Sequence, residues 1–210
     1  MKKINAEVVK NAMSYEQYRS LVDELFNEGK TTSGHNSEAM LNYTKLNISR
    51  MNRLDRRAKL DNETIQGLIE STEPMTWLVL TEGWCGDAAQ VVPYLVKMTN
   101  EMPNVTIKFI LRDQHLDIMD AFLTNGGRSI PKVIFLDEEN NVLGSWGPRP
   151  NDLQDLFLNE REVIKTLPEE KQKEANYELK TELQRWYTKD KGYHTQQEVV
   201  NELQEILENV

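Results

Sequence analysis

The chain has 210 residues, with 25 Lys and Arg against 34 Asp and Glu for a formal charge of −9, 39% hydrophobic residues and one cysteine. That length and apolar content suit one domain with long additions, or two small ones, and exclude a disordered tail. No apolar run approaches the roughly 18 residues of a membrane-spanning helix, and the acidic balance argues against a general nucleic-acid binder, so neither a membrane nor a nucleic acid is an expected partner.

The opening MKKINAEVVKNAMSYEQ has a basic tip but no apolar h-region, which predicts no secretory signal and a cytoplasmic address. Ser14 is placed to cap a first helix carrying Tyr18, Leu21, Val22, Leu25 and Phe26 on one stripe, with Gly29 as its stop signal. Residues 31–36 form a polar connector. Ser37 then opens a longer helix to about Leu60, with Leu41, Ile48, Met51, Leu54 and Ala58 on its apolar side. The same stretch carries Lys45, Arg50, Arg53, Arg56, Arg57 and Lys59 against the single acid Asp55. Arg50, Arg53 and Arg57 share a helical face, either solvated and paired with the chain's own acids or open to an anionic partner. A third helix starts near Asp61 and ends before Pro74.

From Met75 the period changes. The run Met75 to Thr81 is bulky, β-branched and bounded by Pro74 and Gly83, which predicts a buried strand. A helix with Pro93 inside it follows from Cys85 to Met102, then a strand over Val105 to Leu111, a helix over Leu116 to Leu123 and a strand over Lys132 to Leu136. Residues 137–141 turn into a last strand, Val142 to Trp146. Strand, helix, strand, helix and hairpin describe an α/β sandwich with a mixed sheet. Beyond the Gly147-Pro148-Arg149-Pro150 turn, helices are predicted from Asn151 or Asp152 to about Leu167, from Glu169 to Tyr187 and, after Gly192, from Thr195 to Glu208. Only the first of these is needed to cover the sheet. Residues 1–74 therefore read as a helical N-terminal extension, 75–167 as the central domain and 168–210 as a helical C-terminal extension.

The chemistry concentrates at Thr81-Glu82-Gly83-Trp84-Cys85-Gly86-Asp87-Ala88, where a strand ends in a short loop that delivers Cys85 to the first turn of a helix. Unpaired N–H groups and the helix dipole favour an anion there, the geometry of a reactive thiolate. One thiol cannot make an intrachain disulfide or, in the usual way, a structural zinc site.

At these residues the chain resembles the thioredoxin superfamily. Trp84-Cys85-Gly86 is similar to the start of its W-C-G-P-C site, and Gly127-Arg128-Ser129-Ile130-Pro131 resembles the loop whose cis-proline lies against the active-site cysteine. Gly147, beyond the hairpin, matches a glycine close to that proline. The resemblance spans residues 75–167 and implies a thioredoxin-like three-layer α/β/α sandwich with a mixed sheet, flanked here by the two helical extensions. W-C-G-D-A at the site and W-G-P-R-P after the hairpin look like a bacterial thioredoxin-like subgroup lacking the second cysteine.

The departures limit the chemistry. Ala88 stands where the resolving cysteine would be, and Val79 where the family carries a buried carboxylate on the strand. Asp87 adds a negative charge that opposes part of the dipole's effect. Mixed disulfides can form and need an external thiol for release. The expected function is thus thiol–disulfide exchange through Cys85 with a protein or low-molecular-weight thiol such as glutathione. Three alternatives stay open: a redox-inactive binding or scaffold module, a reversibly oxidised sensor and an inert remnant.

The resemblance places Trp84, exposed beside the thiol, with Gly86, Asp87, Ile130, Pro131 and Gly147 in the substrate site, and the Ile130 backbone open to an extended peptide. Arg128 and Arg149 flank the landmark loops, on the rim favouring the thiolate or as solvated surface. Trp77 and Trp146 are expected in the core. His35, His115 and His194 are too scattered for a Cys–His pair, and no metal or cofactor is implied.

Overall fold

The computed structural model describes residues 2–70 and 73–208. Its centre is a four-stranded mixed sheet built from β1 (Met75–Thr81), β2 (Val105–Leu111), β3 (Lys132–Leu136) and β4 (Val142–Trp146), in the order β2-β1-β3-β4. β1 runs parallel to β2 and antiparallel to β3, and β3 pairs antiparallel with β4. The four predicted strands form with the predicted bounds.

In this register Trp77, Val79 and Thr81 share a face with Phe109, Phe135 and Trp146, while Leu78, Leu80, Ile110 and Ile134 point the other way. Both sets are buried, so chain covers the central strands on both faces. Trp77 meets the edge of Phe135 at 5.2 Å between ring centroids, and Tyr18 stacks on Phe109 at 5.4 Å.

The helices before the sheet are α1 (Ala6–Asn11), α2 (Tyr15–Asn27), α3 (Glu38–Arg57) and α4 (Asn62–Glu70). A capping box closes the start of α2, with Ser14 accepting from the Gln17 N–H and the Gln17 side chain accepting from the Ser14 N–H. The sequence reading missed α1, a six-residue helix capped by Asn5 and too short to show a period. Between α1 and α2, Met13 pairs with Phe109, so the lead-in blunts the open edge of β2.

α5 (Ala88–Asn100) follows β1, and α6 is only Leu116–Met119, shorter than predicted. After the sheet come α7 (Asn151–Thr166), α8 (Glu169–Asp190) and α9 (Tyr193–Glu208). Here the expected division of labour changes. α7 packs chiefly on α8, and α9 lies on β4. A Cβ on Gly144 of β4 would sit 2.5 Å from the Glu202 carboxylate and 2.9 Å from Ile206, so the strand must be bare for α9 to dock. Glu198 locks the arrangement by accepting from Trp146 Nε1 at 3.0 Å and from the Asn151 N–H at 2.7 Å. One apolar core runs through residues of the lead-in, the sheet and α9. Leu203→Ala in α9 is therefore expected to cost about 2–5 kcal/mol, read as a lower urea midpoint in a single cooperative transition.

Candidate functional site

The loop between β1 and α5 is held from beneath by the lead-in. The Glu82 carboxylate is wholly buried; Thr32 Oγ1 donates to one oxygen, and the Asp113 N–H donates to the other at 3.0 Å. Burial raises its pKa above the usual carboxylate value, and these two donors pull it back. Thr32 Oγ1 also accepts from the Gly83 N–H at 3.1 Å, and Asn47 Nδ2 donates to the Gly83 carbonyl at 3.1 Å. A carboxylate is thus buried beside the site, but it is Glu82 at the strand's exit rather than the position occupied by Val79. A polar residue closing a run of buried ones was the available signal.

Cys85 lies at the entry to α5, with its carbonyl accepting from Ala89. Its residue exposure is 7%, its Sγ–H donates to the Ile130 carbonyl at 3.2 Å, and the Ala88 N–H donates to Sγ at 3.4 Å. The peptide bond between Ile130 and Pro131 is cis. Ile130 is itself buried, and its carbonyl is spent on the thiol rather than open to a peptide. Burial, then the charge of Asp87, push the thiol up to about 12, against the opposing pull of the Ala88 and Asp87 N–H groups and Arg149. The helix start was expected to make a thiolate; desolvation outweighs it.

Asp87 does not face solvent. Tyr187 of α8 donates its hydroxyl to one carboxylate oxygen at 3.1 Å, and Arg149 pairs with the other. Arg149 is buried, donates to Gln154 Oε1 at 2.8 Å and lies 4.3 Å from the centroid of the Phe157 ring. Gln90 Nε2 donates to Gln184 Oε1 at 2.8 Å, and a Cβ on Gly86 would lie 3.1 Å from Gln184 Nε2. α8 therefore roofs the loop, and the sequence carries no sign of it, because Gln184 and Tyr187 are about 100 residues from their partners. Arg50 of α3 joins the wall by donating to Asn47 Oδ1 at 2.8 Å.

The remaining predicted residues divide. Gly147 closes on the Pro131 loop: its φ is +108° and a Cβ would fall 2.4 Å from the Pro131 carbonyl, so only glycine fits. Trp84 is half-buried, and the Arg112 guanidinium lies 4.9 Å over its ring, which corrects the expected exposed contact surface. Arg128 stands apart from the thiol's contacts in a solvent-exposed bidentate pair with Asp120, at 2.6 and 2.8 Å, and Arg149 alone reaches the site. Trp77 and Trp146 are buried. Among the described residues no cluster of three or more His, Cys, Asp or Glu is placed to hold a metal.

The thioredoxin family model matches residues 33–167, from the connector before α3 to the residue after α7. The chain belongs to the thioredoxin family. The match reaches upstream of the predicted 75–167, taking in α3 and α4. Within the match lie the chain's one cysteine, Cys85, the proline loop at Pro131 and Gly147, with Ala88 three residues after the thiol. No curated protein matches the chain. Two solved structures are similar: an HIV epitope-scaffold, 20% identical with a TM-score of 0.49 over 94% of this chain and 99% of that one, and a protein of unknown function from Pseudomonas aeruginosa, 22% identical with a TM-score of 0.45 over 80% and 95%.

Two outcomes are expected. Arg149→Met strands the Asp87 carboxylate in a buried setting and lowers stability by about 3 kcal/mol, measured by urea unfolding. The thiol's raised pKa links stability to pH. Protonated Cys85 adds its full share below the unfolded thiol's value of about 8.5, and that share is lost as pH climbs from there toward 12. The wild type should lose more stability than Cys85→Ser between pH 8 and pH 10.5, and no thiolate absorbance at 240 nm should appear in the native protein below pH 9.

Proposed function

We propose that this protein is a single-thiol thioredoxin whose Cys85 is held in reserve, protonated and roofed by α8, and enters disulfide exchange when that helix is displaced. The observation that carries the reading is the double tie of α8 to the active-site turn, Tyr187 to Asp87 and Gln184 to Gln90, above a thiol that still receives the Ala88 N–H. With burial pushing its pKa up to about 12, the thiol is protonated at pH 7, so the roofed state is silent. Once opened to water, Sγ loses its proton to solvent and the helix start and Arg149 favour the thiolate. Cys85 S⁻ then attacks a disulfide R–S–S–R′, forming the mixed disulfide Cys85–S–S–R and releasing R′S⁻. Ala88 cannot attack that bond. An external thiolate does so instead, returning Cys85 S⁻ and leaving as the new disulfide.

A second reading, a redox-inactive module in which Cys85 is a packing group, draws on the Sγ–H donated to the Ile130 carbonyl and on Asp87 beside it. One experiment separates the two. Tyr187→Phe combined with Gln184→Ala loosens α8, and the rate at which glutathione disulfide labels Cys85 at pH 7.5, followed by intact mass, should rise at least tenfold over the wild type and reverse with reduced glutathione. A double variant that keeps its circular dichroism spectrum yet labels no faster leaves the packing reading in place of exchange.

A further inference from the structure

α3 lies against α5 with Asn47, Met51 and Leu54 buried, and that docking sets Arg50 beside the active-site turn. Arg50 Nη1 lies 3.7 Å from where a Cβ on Gly86 would be, one residue from Cys85. Its side chain is half-buried. Among the described residues it makes one side-chain hydrogen bond, Nη1 donating to Asn47 Oδ1 at 2.8 Å, and no ion pair. Asn47 in turn donates to the Gly83 carbonyl, so the guanidinium is tied to the loop that carries the thiol while most of its N–H fork stays open.

Burial disfavours the charge on Arg50 and lowers its pKa, Arg53 adds repulsion, and Asp87 opposes both. Asp87 is nevertheless not its partner, because one carboxylate oxygen is held by Arg149 and the other by Tyr187. A cation drawn partly out of water without a counter-ion is costly, and an arriving carboxylate offsets that cost through a forked contact. Two further features narrow the kind of carboxylate. Gly86 is walled by Gln184 of α8 and by Arg50, so with α8 displaced Arg50 is the one of the two that remains at the turn. The Ile130 carbonyl is engaged by the thiol rather than open to an extended peptide, which favours a small disulfide over a protein segment.

We propose that Arg50 is the substrate-recognition residue of the Cys85 site and takes the carboxylate of a low-molecular-weight anionic disulfide. The inference rests on exchange at Cys85. Cys85 S⁻ attacks one sulfur and the S–S bond breaks; one half stays on Cys85 with its carboxylate against Arg50, and the other leaves as a thiolate. This selection runs against the chain's formal charge of −9, which by itself repels an anion and attracts a cation.

Three disulfides of one skeleton test this on the full chain carrying Tyr187→Phe and Gln184→Ala: dithiodipropionate, hydroxyethyl disulfide and cystamine, which end in a carboxylate, a hydroxyl and an ammonium group. Labelling of Cys85 at pH 7.5 is followed by intact mass, and each rate is divided by that of mercaptoethanol with the same disulfide. Dithiodipropionate should lead cystamine at least fivefold, and raising salt from 0.05 to 0.5 M should shrink that lead without any further substitution. Arg50→Met should lower the ratio at least fivefold, and Arg50→Lys should keep dithiodipropionate ahead. Arg56→Met, which removes an exposed charge from the same helix, should change the ratio less than twofold. Equal or reversed rates, or a ratio unchanged in Arg50→Met, overturn the proposal and leave exchange standing. No labelling by any of the three overturns exchange, and this inference with it.

Discussion

Asp87 stands at the N-cap of α5 with one carboxylate oxygen on Arg149 and the other on Tyr187, and three parts of the chain meet there. Arg149 comes from the turn after β4, Tyr187 from α8, and Asp87 itself from the loop that carries the thiol. An anion at that place could have stayed in water, helping only the helix dipole. Taken inside, it demands partners, and supplying them draws α8 across the active-site turn. The wall behind Gly86 follows from that closure, with Gln184 Nε2 lying 3.1 Å from where a Gly86 Cβ would be.

The pKa of Cys85 shows which physical effect wins. A helix start, two backbone N–H groups and a nearby guanidinium all favour the thiolate, and each acts over a short distance. Removal from water acts against the charged form, and Asp87 adds repulsion. Desolvation dominates, so in this fold the thiol keeps its proton well above its ordinary range. The same enclosure raises the Tyr187 pKa well above that of an ordinary phenol, chiefly through burial and then through Asp87.

The strands were legible because bulky runs bounded by Pro74, Gly83 and the 137–141 turn leave little choice of register. Cys85 was legible as a thiol at a helix start, whereas Ile130-Pro131 and Gly147 were legible only through the resemblance to the thioredoxin superfamily, and the structure supplies the reason for Gly147, whose Cβ would strike the Pro131 carbonyl. Glu82 was passed over because the family's carboxylate was sought at Val79. Trp84 was taken as exposed because nothing in sequence says that Arg112 lies over its ring.

By itself the sequence determined the sheet, the thioredoxin resemblance and the mechanistic limit of one thiol, since strand period, landmark order and a count of cysteines are properties of the chain read along its length. Only the tertiary structure decided whether that thiol faces water. It also decided that Gln184 and Tyr187 meet Gln90 and Asp87 across about 100 residues, and that α9 lies against β4. Such pairings are set by which amphipathic faces bury one another, a choice that helical periodicity permits but does not specify.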